Sequence, residues 1–272
     1  MNQSIYFIGA GNMATSLIGG LIANQHEAIR ITACDINHER LQELQERFQI
    51  NTSDNNLAAV STADIVMLAV KPQVMRTVCE SLSGLASNPD QLFISIAAGV
   101  PAEAIDNWLG GNRAIVRCMP NTPALVQLGA TGLYANARAT EAHQQAARLV
   151  MQAVGISIWV DKESDLDAVT AISGSGPAYF FYFIELLEAA GVKLGLPQKT
   201  AATLARQTAL GAATMARDED VVKLRAQVTS KKGTTEQAII SFQQDQLYQL
   251  VDRATAAAHQ RSLELAHELT KE

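Results

Sequence analysis

The chain has 272 residues, 48% of them hydrophobic and 18% charged, with a net charge of -6 at neutral pH. That length is a prior for about two domains with real cores, and the composition excludes a disordered chain, a coiled coil and a charged tail protein. Lys and Arg are scattered, with no basic stripe to neutralise a phosphate backbone, which excludes nucleic acid as the main partner and favours a small molecule.

Short β-rich runs at 4–8, 29–33, 64–70, 92–97 and 114–119 alternate with helical patterns at 13–24, 39–48, 73–85 and 101–109. Near-continuous apolar strands separated by helices predict a doubly wound α/β fold, its parallel sheet covered on both faces. The runs at 130–135 and 155–160 are expected to extend that sheet. Past Asp161 the strand signals stop, and helices are predicted over 163–172, 177–194, 197–217, 235–242 and 246–269, several opening with Pro or Thr. The expected organisation is therefore a dinucleotide-binding domain at 1–160 and an all-α domain at 161–272.

Within the second half, Tyr179–Leu187 reads YFFYFIELL and is apolar nearly all round. A helix of that kind must be covered on every side, which a helical domain of about 110 residues cannot do alone. A homo-oligomer with its interface on these helices is the expectation. Cys34, Cys79 and Cys118 are far apart, odd in number and without a CxxC pair, which fits a reducing compartment. The first residues lack a basic leader and no apolar run reaches the ~18 residues of a membrane span, so a soluble cytoplasmic protein without a membrane partner is expected.

The first strand runs into Gly9-Ala10-Gly11-Asn12-Met13-Ala14, a GxGxxA form of the dinucleotide fingerprint. Gly9 allows the tight turn, Gly11 lets backbone approach a pyrophosphate, and Ala14 lets helix and strand pack closely. The following helix offers free N–H groups and a positive dipole end to phosphate. At strand one of a βαβ series, this pattern predicts a Rossmann-type NAD(P)-binding domain. Asp35 stands where an acid bonds the adenosine ribose, and reads equally as the cap of the next helix. Arg40 leaves room for a 2′-phosphate, so both NADPH and NADH remain open. Ala69-Val70-Lys71-Pro72 and Ser95-Ile96-Ala97 end two further strands at the edge where such folds bind ligands.

Arg117–Ala124, RCMPNTPA, places Met119, Pro120 and Asn121 at a strand end, as nicotinamide contacts or as a rigid connector. SGSGPAY at 173–179 and SKKGTT at 230–235 are two helix entries with oriented N–H donors, which suit an anionic substrate or serve simply as caps. No Lys or His follows Gly176 before Lys193, so the general acid of a hydroxyacid dehydrogenase is missing. The histidines show no metal-ligand spacing. SGSGP also lacks the frame of a serine hydrolase. A related imine or hydroxyacid oxidoreductase, or a non-catalytic dinucleotide-binding protein, is the alternative.

FIGAGNMA, AVKP, SIAAGV, RCMPNTPA, SGSGPAY and GTT occur in the order and approximate spacing of pyrroline-5-carboxylate reductases, which the chain resembles along essentially its whole length. The resemblance implies an N-terminal Rossmann domain, an interlocking helical dimerisation domain, and reduction of 1-pyrroline-5-carboxylate to L-proline with NADPH or NADH. It further implies that Ile8 to Met13 (Ile8, Gly9, Ala10, Gly11, Asn12, Met13) cradle the pyrophosphate. Asn56 and the Ala69–Pro72 turn would then contact the adenosine side, while Ser95, Ile96 and Ala97 lie along the nicotinamide half. Ser230, Thr234 and Thr235 match the loop that holds the substrate carboxylate, joined by Ser175, and the Thr235 hydroxyl matches the group bonded to the ring nitrogen. One departure stands out. The family commonly reads Ser-Pro-Gly-Gly where this chain has Ser230-Lys231-Lys232-Gly233, so Lys is expected to meet backbone angles suited to Gly.

Overall fold

The computed structural model describes residues 3–55, 60–84, 88 and 90–271. One sheet is built from β1 (Ile5–Ile8), β2 (Ile31–Cys34), β3 (Asn51–Ser53), β4 (Ile65–Leu68), β5 (Leu92–Ser95), β6 (Ala114–Met119), β7 (Gly129–Ala135) and β8 (Gly155–Trp159). Their spatial order is β3-β2-β1-β4-β5-β6-β7-β8. β1, β4 and β5 are buried along their whole length. Period-two alternation divides their side chains between two cores. Ile5, Phe7, Met67 and Ile94 pack with Leu17 and Ile18 of α1 (Asn12–Ala23) on one face. Tyr6, Ile8, Val66 and Phe93 pack with Met75, Cys79 and Leu82 of the helix Pro72–Leu82 on the other. Covered faces explain why these strands read as unbroken apolar runs.

The sheet departs from an all-parallel expectation at one place: β7 runs antiparallel to β6, and β8 runs parallel to β7. Only the short 3-10 helix Thr122–Val126 and its flanks join β6 to β7, whereas a parallel crossover needs a dozen or more residues. Beyond the sequence reading lie β3, the α-helices Glu141–Gln152 and Val221–Gln227, and the 3-10 turns Ala28–Arg30 and Thr122–Val126. The helix expected over 163–172 is α-helical at Asp165–Val169 and then widens into a π turn at Thr170–Gly174, with the Ser175 N–H donating to the Thr170 carbonyl at 2.8 Å.

Gly155 shows how tightly β7 and β8 meet. Its φ is +150° and an added Cβ would overlap the Gly129 backbone. Gly155→Ala is therefore expected to destabilise the protein by about 3 kcal/mol, which chemical denaturation at fixed temperature reads directly.

By compactness the chain divides into residues up to Ser175 together with those from Ala258, and residues 176–257. The first unit extends to Ser175 because 161–175 is anchored on the sheet. Arg117 pairs with Glu163 at 2.7 Å, and an added Cβ on Gly132 would lie 2.7 Å from Val169. The Ser262 hydroxyl donates to Asp167 at 2.6 Å, which ties the end of the helix Leu247–Lys271 to the same unit. The second unit consists of the helices Gly176–Lys193, Gln198–Met215, Val221–Gln227 and Thr234–Gln244 and the first turns of Leu247–Lys271. Within it only Gly176, Ala201 and Ala205 are buried among the described residues, and Phe180 is 72% exposed. An apolar helical unit with so little core of its own presents a surface for another chain.

Candidate active site

Parallel pairing sets Ile8 beside Cys34 and Leu68, Leu68 beside Ser95, and Ser95 beside Arg117, so β1, β2, β4, β5 and β6 all end at one edge. The chain order reverses between β1 and β4, the switch point at which doubly wound sheets open a ligand crevice. A cleft of about 570 Å³ lies there, lined by Ile8, Gly9, Gly11, Asp35, Ala69 and Lys71 among others. Gly9 adopts φ +98° and an added Cβ would stand 2.6 Å from the Ala69 carbonyl oxygen. Gly11 caps α1 with no side-chain bond, is exposed, and has open space where a Cβ would project. This is a cradle that admits a close-approaching phosphate and that any side chain would obstruct.

The peptide of Ala10 is gripped from both sides. Asp35 accepts its N–H at 2.7 Å, and the Arg40 Nε donates to its carbonyl at 3.0 Å. Arg40 also donates to Asn12 Oδ1 at 2.5 Å, so the guanidinium lies across the Gly-rich turn. Asp35 is not the cap of α2 (His38–Phe48): Asn37 fills that position and accepts the Arg40 N–H at 3.1 Å. The second oxygen of Asp35 takes the Asn37 N–H at 2.9 Å. Asp54, Ile36, Val74 and Val78 also line the cleft and were not singled out from sequence. Asp54 directly follows β3, a polar three-residue strand whose pattern carries little signal. Cys34 sits in the cleft wall, where burial raises its thiol pKa and keeps it protonated and unreactive.

Lys71 is exposed and caps the helix Pro72–Leu82, with Pro72 in its first turn. Val70 is half-buried. Ser95 is buried and its Oγ accepts the Ala97 N–H at 3.3 Å, which shapes the Ser95-Ile96-Ala97 edge. Met119 ends β6 and Pro120 follows it, half-buried and buried respectively, and Asn121 is buried with both ends of its amide engaged inside the protein. Met13 packs against the core from α1. Asn56 lies outside the described residues.

In the second unit, the helix Thr234–Gln244 opens on Gly233 with no side-chain cap, so its first amides are free to receive an anion. Ser230 and Thr234 are exposed and Thr235 is half-buried. Gly233 closes a tight turn, its N–H donating to the Ser230 carbonyl at 3.0 Å. Lys232 holds φ +61°, and its N–H donates to Glu236 Oε2 at 2.6 Å. Lys232 thus holds a left-handed conformation that Gly would adopt without strain, at a cost of about 1 kcal/mol. Lys232→Gly is expected to raise stability by about 0.5 kcal/mol while leaving the turn in place, a gain that a thermal melt resolves. Ser175 belongs to the first unit, half-buried and directly after the π turn.

A family model described as pyrroline-5-carboxylate reductase dimerisation matches residues 163–265, and one described as NADP oxidoreductase, coenzyme F420-dependent, matches 4–99. A pyrroline-5-carboxylate reductase of Pseudomonas aeruginosa is 52% identical over 97% of each chain. The chain belongs to the pyrroline-5-carboxylate reductase family. A solved member of that family from Coxiella burnetii superposes with a TM-score of 0.94 at 43% identity, covering 98% of this chain and 99% of that one. A Plasmodium falciparum pyrroline carboxylate reductase, solved with NADP bound, superposes at 0.83 with 29% identity over 97% of this chain and 98% of that one. Among the described residues, no helix is long and apolar enough to cross a membrane, and no cluster of His, Cys, Asp and Glu is placed to hold a metal ion.

Proposed function

We propose that residues 1–160 hold NADPH or NADH and that residues 161–272 supply the substrate loop and the dimer surface of a cytoplasmic reductase. As a member of its family, the protein reduces 1-pyrroline-5-carboxylate to L-proline. The observation that carries the assignment is the unobstructed Gly9–Gly11 turn at the β1/β4 switch point, in a chain that matches reductases along almost its whole length. Bound nicotinamide supplies the hydride. Gly9, Ala10, Gly11 and the α1 N-terminus hold the pyrophosphate, flanked by Ile8, Asn12 and Met13. Asp35 fixes the Ala10 peptide and turns its remaining lone pairs to the ribose. Ala69, Val70, Lys71 and Pro72 enclose the adenosine side, and Ser95, Ile96, Ala97, Met119 and Pro120 flank the nicotinamide.

Reducing a C=N bond needs an electron-poor carbon, which protonation of the ring nitrogen provides. The free amides at Thr234 and Thr235, with Ser230, orient the carboxylate, and the Thr235 hydroxyl hydrogen-bonds the ring nitrogen; Ser175 is a further substrate contact from the first unit. Positioning of this kind is worth several kcal/mol of barrier. The test is to follow reduced-nicotinamide absorbance with pyrroline-5-carboxylate and each cofactor in turn. Oxidation coupled to proline formation is the expected result, and no oxidation with either cofactor rejects the reading.

Asp35→Ala leaves the Ala10 N–H without its acceptor. It is expected to raise KM for both cofactors about tenfold with a smaller effect on kcat, as initial-rate series over cofactor concentration will show. The exposed aromatic residues of the helix Gly176–Lys193 and the near-absence of a core in 176–257 support a homodimer or larger assembly. Light scattering is expected to return a mass at least double the 29.2 kDa chain.

A further inference from the structure

The π turn at Thr170–Gly174 is met by two residues of the segment that ends and follows β6, Asn121 and Met119. The Asn121 Nδ2 donates to the Ser173 carbonyl at 2.9 Å, while its Oδ1 accepts the Ala130 N–H at 2.9 Å. Beside this, the Met119 Cε lies so close to Gly174 that an added Cβ would stand 2.8 Å from it. A π turn widens the helical ladder and frees a carbonyl from its usual i+4 donor, and such turns persist where surrounding groups hold them. Asn121 is 8% exposed, and its side-chain amide spans the two segments, one N–H donating to Ser173 and the oxygen accepting from Ala130.

We propose that Asn121 is a positioning residue of the reductase, fixing the π turn through the Ser173 carbonyl and thereby setting Ser175 against the Met119–Pro120 end of β6, without touching the cofactor itself. The inference rests on the reading that Ser175 meets the substrate and that Met119 and Pro120 flank the nicotinamide. Met119 packs on the turn and Arg117, two residues earlier, pairs with Ser95, so turn, β6 and the nicotinamide edge form one continuous path within the first unit. Hydride transfer is steep in donor–acceptor geometry, and a displacement of about 1 Å costs on the order of a hundredfold in rate.

Asn121→Asp tests this with little change of shape. The carboxylate keeps an acceptor for the Ala130 N–H but loses the donor to Ser173 and sets an oxygen against its carbonyl. At pH 8 we expect kcat to fall about 10- to 100-fold, with the dissociation constants of NADPH and NADH within twofold of wild type by fluorescence titration. As pH falls, the ratio of variant to wild-type kcat is expected to rise, because a protonated carboxyl regains an O–H to donate to Ser173. Gly174→Ala, which displaces Met119 from the turn, should lower kcat in the same sense and carries the test should the Asp variant fail to fold. Unchanged kcat in the folded variant, a pH-independent ratio, or loss of cofactor affinity in step with kcat would each overturn the proposal. Turnover by the wild-type enzyme in the same assay separates this result from failure of the functional reading itself.

Discussion

Thr235→Ala is expected to lower kcat about a hundredfold while the affinity for NADPH and NADH stays within twofold of wild type. Thr235 stands in the first turn of the helix Thr234–Gln244, outside the unit that contains the Gly-rich cleft. Its backbone N–H is untouched by the substitution, so the amide donors proposed for the carboxylate remain and KM for pyrroline-5-carboxylate should change less than kcat. On the proposed reading, what disappears is the hydroxyl at the ring nitrogen, a contact that matters most as the C=N bond is reduced. Thr235→Ser retains that hydroxyl and should recover most of the rate. Single-turnover kinetics with saturating cofactor provide the measurement, and equal rates for wild type and Thr235→Ala would remove the hydroxyl from the mechanism.

Gly9→Ala and Gly11→Ala are expected to fail in different ways although two residues apart. At Gly9 the backbone is left-handed, φ +98°, and a methyl would stand 2.6 Å from the Ala69 carbonyl oxygen and 3.2 Å from Val70 Cγ1. Neither β1 nor the start of the next turn can yield without breaking the Ala69 N–H bond to the Ile8 carbonyl at 2.8 Å. The substitution should destabilise the fold by about 3 kcal/mol and abolish cofactor binding together. Gly11 has φ −68° and nothing within 4 Å of an added Cβ, so Gly11→Ala should fold with unchanged thermal stability. Its methyl projects into the space proposed for the pyrophosphate, and the cofactor dissociation constant should rise more than about tenfold. Melting curves paired with fluorescence titrations distinguish the two. A Gly11→Ala protein that binds NADPH like wild type would contradict the placement of the pyrophosphate.

Strands β1, β4 and β5 are legible in the sequence because both their faces are buried, which leaves a near-continuous apolar run with little else to be. β3 is not, since Asn51-Thr52-Ser53 is polar and sits at the sheet edge, held by pairing to β2. The helix Glu141–Gln152 shows its apolar stripe, Ala146, Ala147, Val150 and Met151, only once its Thr140 cap and the reciprocal His143 bond define the start. Direction within the sheet is a property of the β6–β7 connection, and the apolar content of 130–135 carries no trace of it. The same division holds at the site. Gly9, Gly11 and Asp35 declare themselves by type and spacing, as the turn geometry admits few alternatives. What Asp35 bonds, by contrast, depends on β2 ending beside β1, and the inward fold of Arg40 depends on the Ala10 carbonyl it meets there. Asn121 reads in sequence as a ring contact, yet its partners Ser173 and Ala130 come from segments that only the folded chain assembles.

The central claim is hydride delivery from a bound nicotinamide to the imine carbon of pyrroline-5-carboxylate. It is tested most directly by running the reaction with NADPH carrying deuterium at the transferable position and examining the product by mass spectrometry and NMR. The account predicts L-proline with one deuterium, bound to the ring carbon that was double-bonded to nitrogen. Unlabelled proline, or labelled cofactor left unoxidised beside intact substrate, would contradict it.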